Sequence, residues 1–194
     1  MKEGNILLCG VGGQGILLAS EILSSTLMHA GFDVKQSEVH GMAQRGGSVV
    51  SHVRFGQKVY SPLIELGTAD IAVSFELLEA LRYLPYMRKG STVIVNTQRI
   101  LPAPVATGVD VYPDDILGKL RCHDLAVRDI NAMEVASSIG EKRAVNMVLV
   151  GALSAMIPVE ESQFLQVISG RLPQKIRDIN IEAFRKGREI IRNS

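Results

Sequence analysis

The segment best suited to ligand chemistry in this sequence is the run Gly10-Val-Gly-Gly-Gln-Gly15. It has the spacing G-x-G-x-x-G, follows a short apolar run and precedes residues with helical periodicity, which is the strand–turn–helix setting that the motif needs. Gly12 and Gly13 would let backbone amides approach an anion, Gly15 would allow close strand–helix packing, and the helix N-terminus adds partial positive charge. Three interpretations stay open: a nicotinamide or flavin dinucleotide, a phosphate of another ligand, and a purely structural turn.

A second polar segment, residues 38–47, would emerge at the carboxyl end of the second predicted strand, the edge at which α/β sheets place their ligands. Arg45 is a natural anion clamp because its guanidinium has forked donors, and Gly46 and Gly47 would free the backbone for close approach. The alternative is that Arg45 pairs with a carboxylate such as Glu38 while the glycines only turn the chain. Glu38 is also the best candidate for the acid that holds a ribose in dinucleotide sites, although it lies further from the glycine turn than the usual spacing of about 20 residues.

Asn146 is a polar amide near the start of an otherwise apolar helical stretch. A buried amide needs hydrogen-bond partners, which either a neighbouring turn or a ligand and a second subunit would supply. His52 lies within a predicted strand, and we interpret it as a satisfied, half-buried imidazole rather than a catalytic one.

Composition excludes several classes of protein. The 21 Lys and Arg residues nearly balance the 20 Asp and Glu residues, so no net field would recruit nucleic acid or an anionic membrane. Cys9 and Cys122 belong to no CxxC or Cys/His cluster, so we expect no metal site on this chain. The N-terminus lacks a signal-peptide pattern, which predicts a cytoplasmic protein. The longest uncharged stretch, residues 144–159, is too short for a membrane span and predicts a buried helix.

Hydrophobic periodicity predicts the elements that would position these residues. Apolar or alternating runs predict strands at residues 5–10, 34–39, 48–55, 70–75 and 90–96. Helical spacing predicts helices at residues 16–30, 76–84, 132–139, 142–156, 160–168 and 175–191. A β-hairpin that joins residues 48–55 to 58–61 and an edge strand at residues 109–112 are also expected.

The order of these elements predicts an α/β fold, with a Rossmann-like, mainly parallel sheet flanked by helices and a helical C-terminal third. The first strand, first helix and second strand would form a βαβ unit with the usual right-handed parallel crossover.

Several of these motifs together resemble one known family. The Gly-x-Gly-Gly-Gln-Gly turn, Gln-Arg-Gly-Gly at residues 44–47, the strand 48–55 and Asn146-x-x-x-x-Gly-Ala152 are similar, over nearly the whole chain, to the gamma-type subunits of 2-oxoacid:ferredoxin oxidoreductases. The family segment usually reads Tyr-Gly-x-Glu-x-Arg-Gly-Gly, and here His40 and Ala43 replace its tyrosine and glutamate. That variant resembles the small (beta) subunits of the indolepyruvate ferredoxin oxidoreductases.

The resemblance implies a single gamma-type domain over residues 1–194 that acts within a hetero-oligomer and is inactive alone. It implies oxidative decarboxylation of an aryl pyruvate such as indolepyruvate to the acyl-CoA, with reduction of ferredoxin. Thiamine diphosphate and iron–sulfur clusters would lie on a large partner subunit, and coenzyme A would be the cosubstrate. No catalytic residue, nucleic acid or membrane partner is expected for this chain. The predicted coenzyme A contacts are Gly10, Gly12, Gly13, Gln14, Gly15, Arg45, Gly46, Gly47 and Asn146.

Two other interpretations are weighed against this one. The glycine fingerprint is also compatible with a self-contained NAD(P)- or flavin-dependent oxidoreductase. In the second alternative, the chain is a noncatalytic scaffold whose glycine turn packs without a ligand.

Overall fold

The computed structural model describes residues 2–40 and 47–193, apart from the side chain of His40. Within these residues the strands are β1 (Gly4–Val11), β2 (Asp33–His40), β3 (Ser48–Gly56), β4 (Ala69–Ser74), β5 (Met87–Asn96) and β6 (Ala126–Ile130). The helices are α1 (Ile16–His29), α2 (Leu77–Arg82), α3 (Ala103–Ala106), α4 (Ile116–Arg121), α5 (Ala132–Ser138), α6 (Val145–Ser154), α7 (Glu161–Arg171) and α8 (Gln174–Arg192). Short 3₁₀ turns span Leu84–Tyr86 and Lys142–Ala144.

The strands form one mixed sheet in the order β2-β3-β1-β4-β5-β6. β1, β4, β5 and β6 pair in parallel, whereas β3 is antiparallel to both β1 and β2. The predicted mainly parallel α/β fold is therefore confirmed, and so is the helical C-terminal third. The expected βαβ unit is altered, because β3 lies between β1 and β2.

The predicted hairpin at residues 48–61 is wrong. β3 is paired along both of its edges, by β1 on one side and β2 on the other, so no edge is left for residues 58–61 to pair with. Residues 109–112 are not a strand either, and the sheet ends instead at β6.

Side chains alternate between the two faces of the sheet and build two cores. Ile6 and Leu8 of β1 face α1, α5, α6, α7 and α8, and Leu7 and Cys9 face α2 and α4. These four residues are 1 % exposed or less, which explains why the first strand is a continuous apolar run.

α6 is the central helix of the larger core. Every residue from Val145 to Ser154 is buried, which confirms the buried helix predicted for the longest uncharged stretch. None of the helices in the described part of the chain is long and apolar enough to cross a membrane.

The connections of β1 and β4 diverge. The chain leaves β1 through α1 toward β2, and it leaves β4 through α2 toward β5, on the opposite face of the sheet. Adjacent parallel strands with diverging connections leave a crevice at their carboxyl ends, which is where open α/β sheets bind ligands.

Candidate functional site

A cleft of about 280 Å³ lies beside this crevice, and we call it the carboxyl-edge cleft. Several elements converge on it: the turn between β1 and α1, the end of β5, α5 and the start of α6. Its lining includes Gly13, Gly15, Gln98, Met133, Lys142 and Asn146.

The glycine turn opens the N-terminus of α1 toward this cleft. Gln14 N–H donates to the carbonyl of Val11, and Gly13 adopts φ 103° with no atom within 4 Å of a would-be Cβ. Gly15 is the N-cap of α1 with φ 79°, and no side chain caps the helix. The first-turn N–H groups of α1 are therefore free of side-chain caps, which is the arrangement that binds anions at helix N-termini.

Asn146 packs directly on the glycine turn. It is 6 % exposed; its Nδ2 lies 3.5 Å from the carbonyl oxygen of Gly15, and its Oδ1 accepts from Met147 N–H at 2.9 Å. A Cβ on Gly15 would lie 2.6 Å from Asn146 Nδ2, so glycine is needed for this approach. The predicted partner of the buried amide is thus the turn, and the two residues meet at the floor of the cleft.

The side chain of Gln14 bridges β1 and β4. Its Oε1 accepts from Val11 N–H at 2.8 Å, and its Nε2 donates to the carbonyl of Phe75 at 2.8 Å and to Gln98 Oε1 at 3.3 Å. Gly10 permits this arrangement, because a Cβ there would lie 2.7 Å from Phe75 Cβ and 2.8 Å from Gln14 Oε1. Gly10 and the Gln14 amide therefore hold the turn against β4, and Gly13 and Gly15 are left to face a ligand.

The cleft carries positive charge at its rim. Lys142 is exposed, and among the described residues no carboxylate lies within ion-pair distance of it. Arg143 is held by Glu141 through Nε at 2.9 Å and Nη2 at 2.8 Å, and these bonds lower the pKa of Glu141 to about 2. Lys142 and the first-turn amides of α1 together suit an anionic group such as a phosphate.

Sequence reasoning did not identify Lys142, Gln98 or Met133 as cleft residues. Gln98 follows the carboxyl end of a buried parallel strand, a position at which ligand-binding side chains are expected. Its place after the predicted strand could therefore have identified it as a cleft residue. Lys142 and Met133 reach the cleft only because α5 and α6 fold back over the glycine turn.

The other predicted contacts fall into two groups. Gly12 N–H donates to the carbonyl of Gly47 at 2.9 Å, so these two residues meet each other and neither of them lines the cleft. Arg45 and Gly46 lie outside the described residues, and their role as anion contacts stays a prediction.

The sheet order does not favour a dinucleotide site. In such sites the ribose-binding acid ends the strand next to β1. Here Glu38 pairs with Ser51 of β3, which in turn pairs with Leu8 of β1, so the strand that carries Glu38 lies two strand spacings, roughly 10 Å, from β1.

A larger cavity, about 600 Å³, lies at the opposite edge of the sheet. Its charges are largely engaged within the protein: Arg88 pairs with Asp70 at 2.7 Å, and Arg54 donates to Asn5 and to two backbone carbonyls. Because ligands of open α/β sheets bind at the carboxyl edge, the smaller cleft is the better candidate.

Comparisons with known proteins agree with this fold. Residues 5–190 match the family model described as pyruvate ferredoxin/flavodoxin oxidoreductase. The chain is 42% identical over 192 residues to indolepyruvate oxidoreductase subunit IorB of Thermococcus kodakarensis, covering 96% of this chain and 95% of the relative. It is 42% identical over 187 residues to the IorB subunit of Archaeoglobus fulgidus, covering 94% of this chain and 92% of the relative.

Two solved structures share the fold. The gamma subunit of a keto/oxoacid ferredoxin oxidoreductase from Geobacter sulfurreducens has a TM-score of 0.75 at 20% identity, over 98% of this chain and 99% of that one. A 2-oxoglutarate:ferredoxin oxidoreductase from Magnetococcus marinus has a TM-score of 0.79 at 23% identity, over 100% of this chain and 32% of that one. Because the family model matches residues 5–190 and the relatives match nearly the whole chain, the chain belongs to the pyruvate ferredoxin/flavodoxin oxidoreductase family.

Proposed function

We propose that this chain is the small subunit of a thiamine diphosphate-dependent indolepyruvate:ferredoxin oxidoreductase and that it helps to bind coenzyme A. The observation that carries the proposal is the carboxyl-edge cleft. The N-terminus of α1, which no side chain caps, faces this cleft. The ammonium of Lys142, which pairs with no carboxylate of the described residues, lies at the same cleft. The complex would convert an aryl pyruvate to the acyl-CoA and pass the electrons to ferredoxin.

The chain's own residues would bind and orient the cosubstrate. A phosphate of coenzyme A would accept hydrogen bonds from the first-turn amides of α1, and Lys142 would neutralise part of its charge. Gln98 would offer its amide, and the thioether of Met133 gives the cleft an apolar wall. The Magnetococcus structure with the same fold was solved with coenzyme A bound, which supports this choice of ligand.

The redox cofactors would lie on the large subunit. An iron–sulfur cluster needs about four thiolate ligands. This chain has two cysteines, and Cys9 is buried in β1 whereas Cys122 is exposed after α4, so they do not fit such a cluster. Thiamine diphosphate would supply the electron sink for decarboxylation from the partner. An exposed free thiol such as that of Cys122 suits the reducing cytoplasm, which we propose as the compartment.

The proposed substrate rests on the relatives. Four proteins that are 39% to 42% identical to this chain carry the name indolepyruvate oxidoreductase subunit IorB. The proteins named for 2-oxoglutarate are only 24% and 25% identical.

The test is to coexpress the chain with a candidate large subunit from the same organism and to assay the purified complex. We expect copurification, reduction of ferredoxin with indolepyruvate and coenzyme A, and a higher kcat/KM for indolepyruvate than for pyruvate or 2-oxoglutarate. The small subunit alone should be inactive. Full activity of the large subunit alone, or a preference for another 2-oxoacid, would contradict the proposal.

The coenzyme A role is tested separately with Lys142→Gln in the complex. Loss of one exposed charge that contacts a phosphate should raise the KM for coenzyme A roughly fivefold and leave the KM for indolepyruvate unchanged. Lys119→Gln, which changes an exposed lysine on α4 at the other face of the sheet, is the matched control. An unchanged KM for coenzyme A in both variants would favour a purely structural glycine turn.

A further inference from the structure

Three side-chain amides meet at the carboxyl edge of the sheet. Gln14 belongs to the glycine turn, Asn96 ends β5, and Gln98 follows two residues later. Asn96 is 0 % exposed, whereas Gln98 is half-buried and lines the carboxyl-edge cleft. The oxygen of an amide accepts hydrogen bonds and its amino group donates them. The end of Gln98 that faces the cleft therefore decides which ligand group it can bind.

Backbone groups fix the direction of the first two amides. The N–H of Val11 donates to Gln14 Oε1 at 2.8 Å. In the same way, the N–H of Ala132 donates to Asn96 Oδ1 at 3.2 Å. The amino groups of Gln14 and Asn96 both donate to the carbonyl of Phe75, at 2.8 Å and 2.9 Å. Because a backbone N–H only donates and a carbonyl only accepts, rotating either amide by 180° would break its hydrogen bonds at both ends.

The same two amino groups orient Gln98. Its Oε1 accepts from Gln14 Nε2 at 3.3 Å and from Asn96 Nδ2 at 3.4 Å. Each amino group thus gives one hydrogen to the carbonyl of Phe75 and the other to Gln98 Oε1, and the two donors occupy both lone pairs of that oxygen. Within the described part of the chain no group accepts from Gln98 Nε2. The amino group of Gln98 is the open end of an otherwise closed network.

We propose that Asn96 and Gln14 are positioning residues that hold the amino group of Gln98 toward the carboxyl-edge cleft, where it donates to a phosphate of coenzyme A. The inference rests on the proposed function. A phosphate brings acceptor oxygens and negative charge, so a donor strengthens its binding, whereas the oxygen of a rotated Gln98 would repel it. Gln98 then acts together with Lys142 and the first-turn amides of α1, which are donors as well. Asn96 is fully buried and acts only through Gln98.

The first test changes Gln98 in the coexpressed complex. Isothermal titration calorimetry measures the Kd of coenzyme A and, separately, of inorganic pyrophosphate. We expect Gln98→Ala, which removes the donor, to raise both Kd values about fivefold, and Gln98→Glu, which puts a negative charge beside the phosphate, to raise them about fiftyfold. Tighter binding by Gln98→Ala would show that the oxygen faces the phosphate, and it would overturn the inference. A Gln98→Glu variant that binds no more weakly than Gln98→Ala would overturn it too.

The second test asks whether Asn96 acts through Gln98. Asn96→Leu removes one of the two donors to Gln98 Oε1 without adding charge. We expect it to raise the KM for coenzyme A about threefold and to leave kcat and the KM for indolepyruvate unchanged. In a Gln98→Ala background the same change should have no further effect, because the group that Asn96 orients is gone. An equal rise in both backgrounds would show a general structural role and overturn the positioning role.

Two further variants complete this test. Asn180→Leu is the matched control, because Asn180 is a buried amide of α8 that donates to the carbonyl of Ile176, and it should leave the KM for coenzyme A unchanged. If Asn96→Leu does not fold, Asn96→Ser makes a smaller change at the same position and carries the same expectation.

The outcomes separate this inference from the proposed function. A complex that reduces ferredoxin with indolepyruvate, but whose affinity for coenzyme A is unchanged by Gln98→Ala, would overturn the inference and leave the proposed function intact. A complex that does not act on indolepyruvate, but binds pyrophosphate and loses affinity for it with Gln98→Ala, would contradict the proposed function and support the role of Gln98 as a phosphate donor.

Discussion

Gly151 of α6 and Gly187 of α8 lie where the backbones of the two helices touch. A Cβ on Gly151 would overlap the carbonyl oxygen of Phe184, 2.7 Å from its carbonyl carbon. A Cβ on Gly187 would come equally close to the carbonyl group of Val148, 2.7 Å from its carbon. α8 therefore holds α6 in place, and α6 in turn presents Asn146 to the glycine turn.

Gly151→Ala should destabilise the fold strongly. The new methyl group meets backbone on the facing helix, which cannot rotate away as a side chain can, so we expect a loss of about 3 kcal/mol or more in the free energy of unfolding. Gly170→Ala in α7 is the control, because a Cβ there meets nothing within 4 Å. That variant should be stabilised by roughly 0.5 kcal/mol or more. Urea denaturation measures both, and equal effects would contradict the contact.

Gly15→Ala should cost more than Gly31→Ala. Both glycines have positive φ, 79° and 90°, but a Cβ on Gly31 has open space whereas one on Gly15 meets Asn146. We expect Gly31→Ala to cost about 1 kcal/mol from backbone strain and Gly15→Ala to cost about 1–2 kcal/mol more. In an Asn146→Ala background the excess should shrink, and a double-mutant cycle without coupling would show that the two residues do not interact.

Cys9 should make the protein less stable at alkaline pH. Burial raises the pKa of its thiol from the usual 9.0 to about 12, so between these values the native chain keeps a proton that the unfolded chain loses. Between pH 9 and about pH 12, the free energy of unfolding of the wild type should therefore fall, relative to that of Cys9→Ala, by about 1.4 kcal/mol for each pH unit.

The same burial predicts selective alkylation. At pH 8 iodoacetamide should modify Cys122, which is exposed, and should modify Cys9 only after denaturation. Mass spectrometry counts the labels, and two labels on the native chain would contradict the burial of Cys9.

His52 should make the protein less stable at acidic pH. The ring is 4 % exposed, its Nδ1 lies 3.2 Å from Ile64 N–H, and burial lowers its pKa. As the pH falls below the usual value of 6.5, the unfolded chain takes up a proton that the native chain excludes, so stability falls. We expect the free energy of unfolding to drop further from pH 7.5 to pH 5 in wild type than in His52→Asn. Equal drops would contradict a neutral, buried His52.

Most elements of the fold were predictable from periodicity. The apolar run of residues 5–10 is a strand, β1, as predicted, and the uncharged helix α6 is buried as predicted. β6 was missed because it is an edge strand in which only Ile130 is buried, so its alternation is weak. The hairpin prediction failed because the pattern of residues 48–55 identifies an extended strand and says nothing of which strand pairs with it.

The candidate site was predictable in part. Gly13, Gln14, Gly15 and Asn146 were singled out by their types and do meet at one cleft. Gly10 and Gly12 were singled out with them, yet the structure places Gly10 against Phe75 and directs the N–H of Gly12 to Gly47, behind the cleft lining.

The sequence by itself determined the α/β class, the glycine turn at the first helix and the family. Only the tertiary structure decided that β3 separates β1 from β2 and that Lys142 and Gln98 line the same cleft as the glycine turn. It also decided that Glu76 accepts hydrogen bonds from both Ile100 and Tyr112. The physical reason is that periodicity records the burial of each residue within its own element. Pairing order and the approach of Asn146 to Gly15, 131 residues apart in the chain, depend instead on how whole elements pack together.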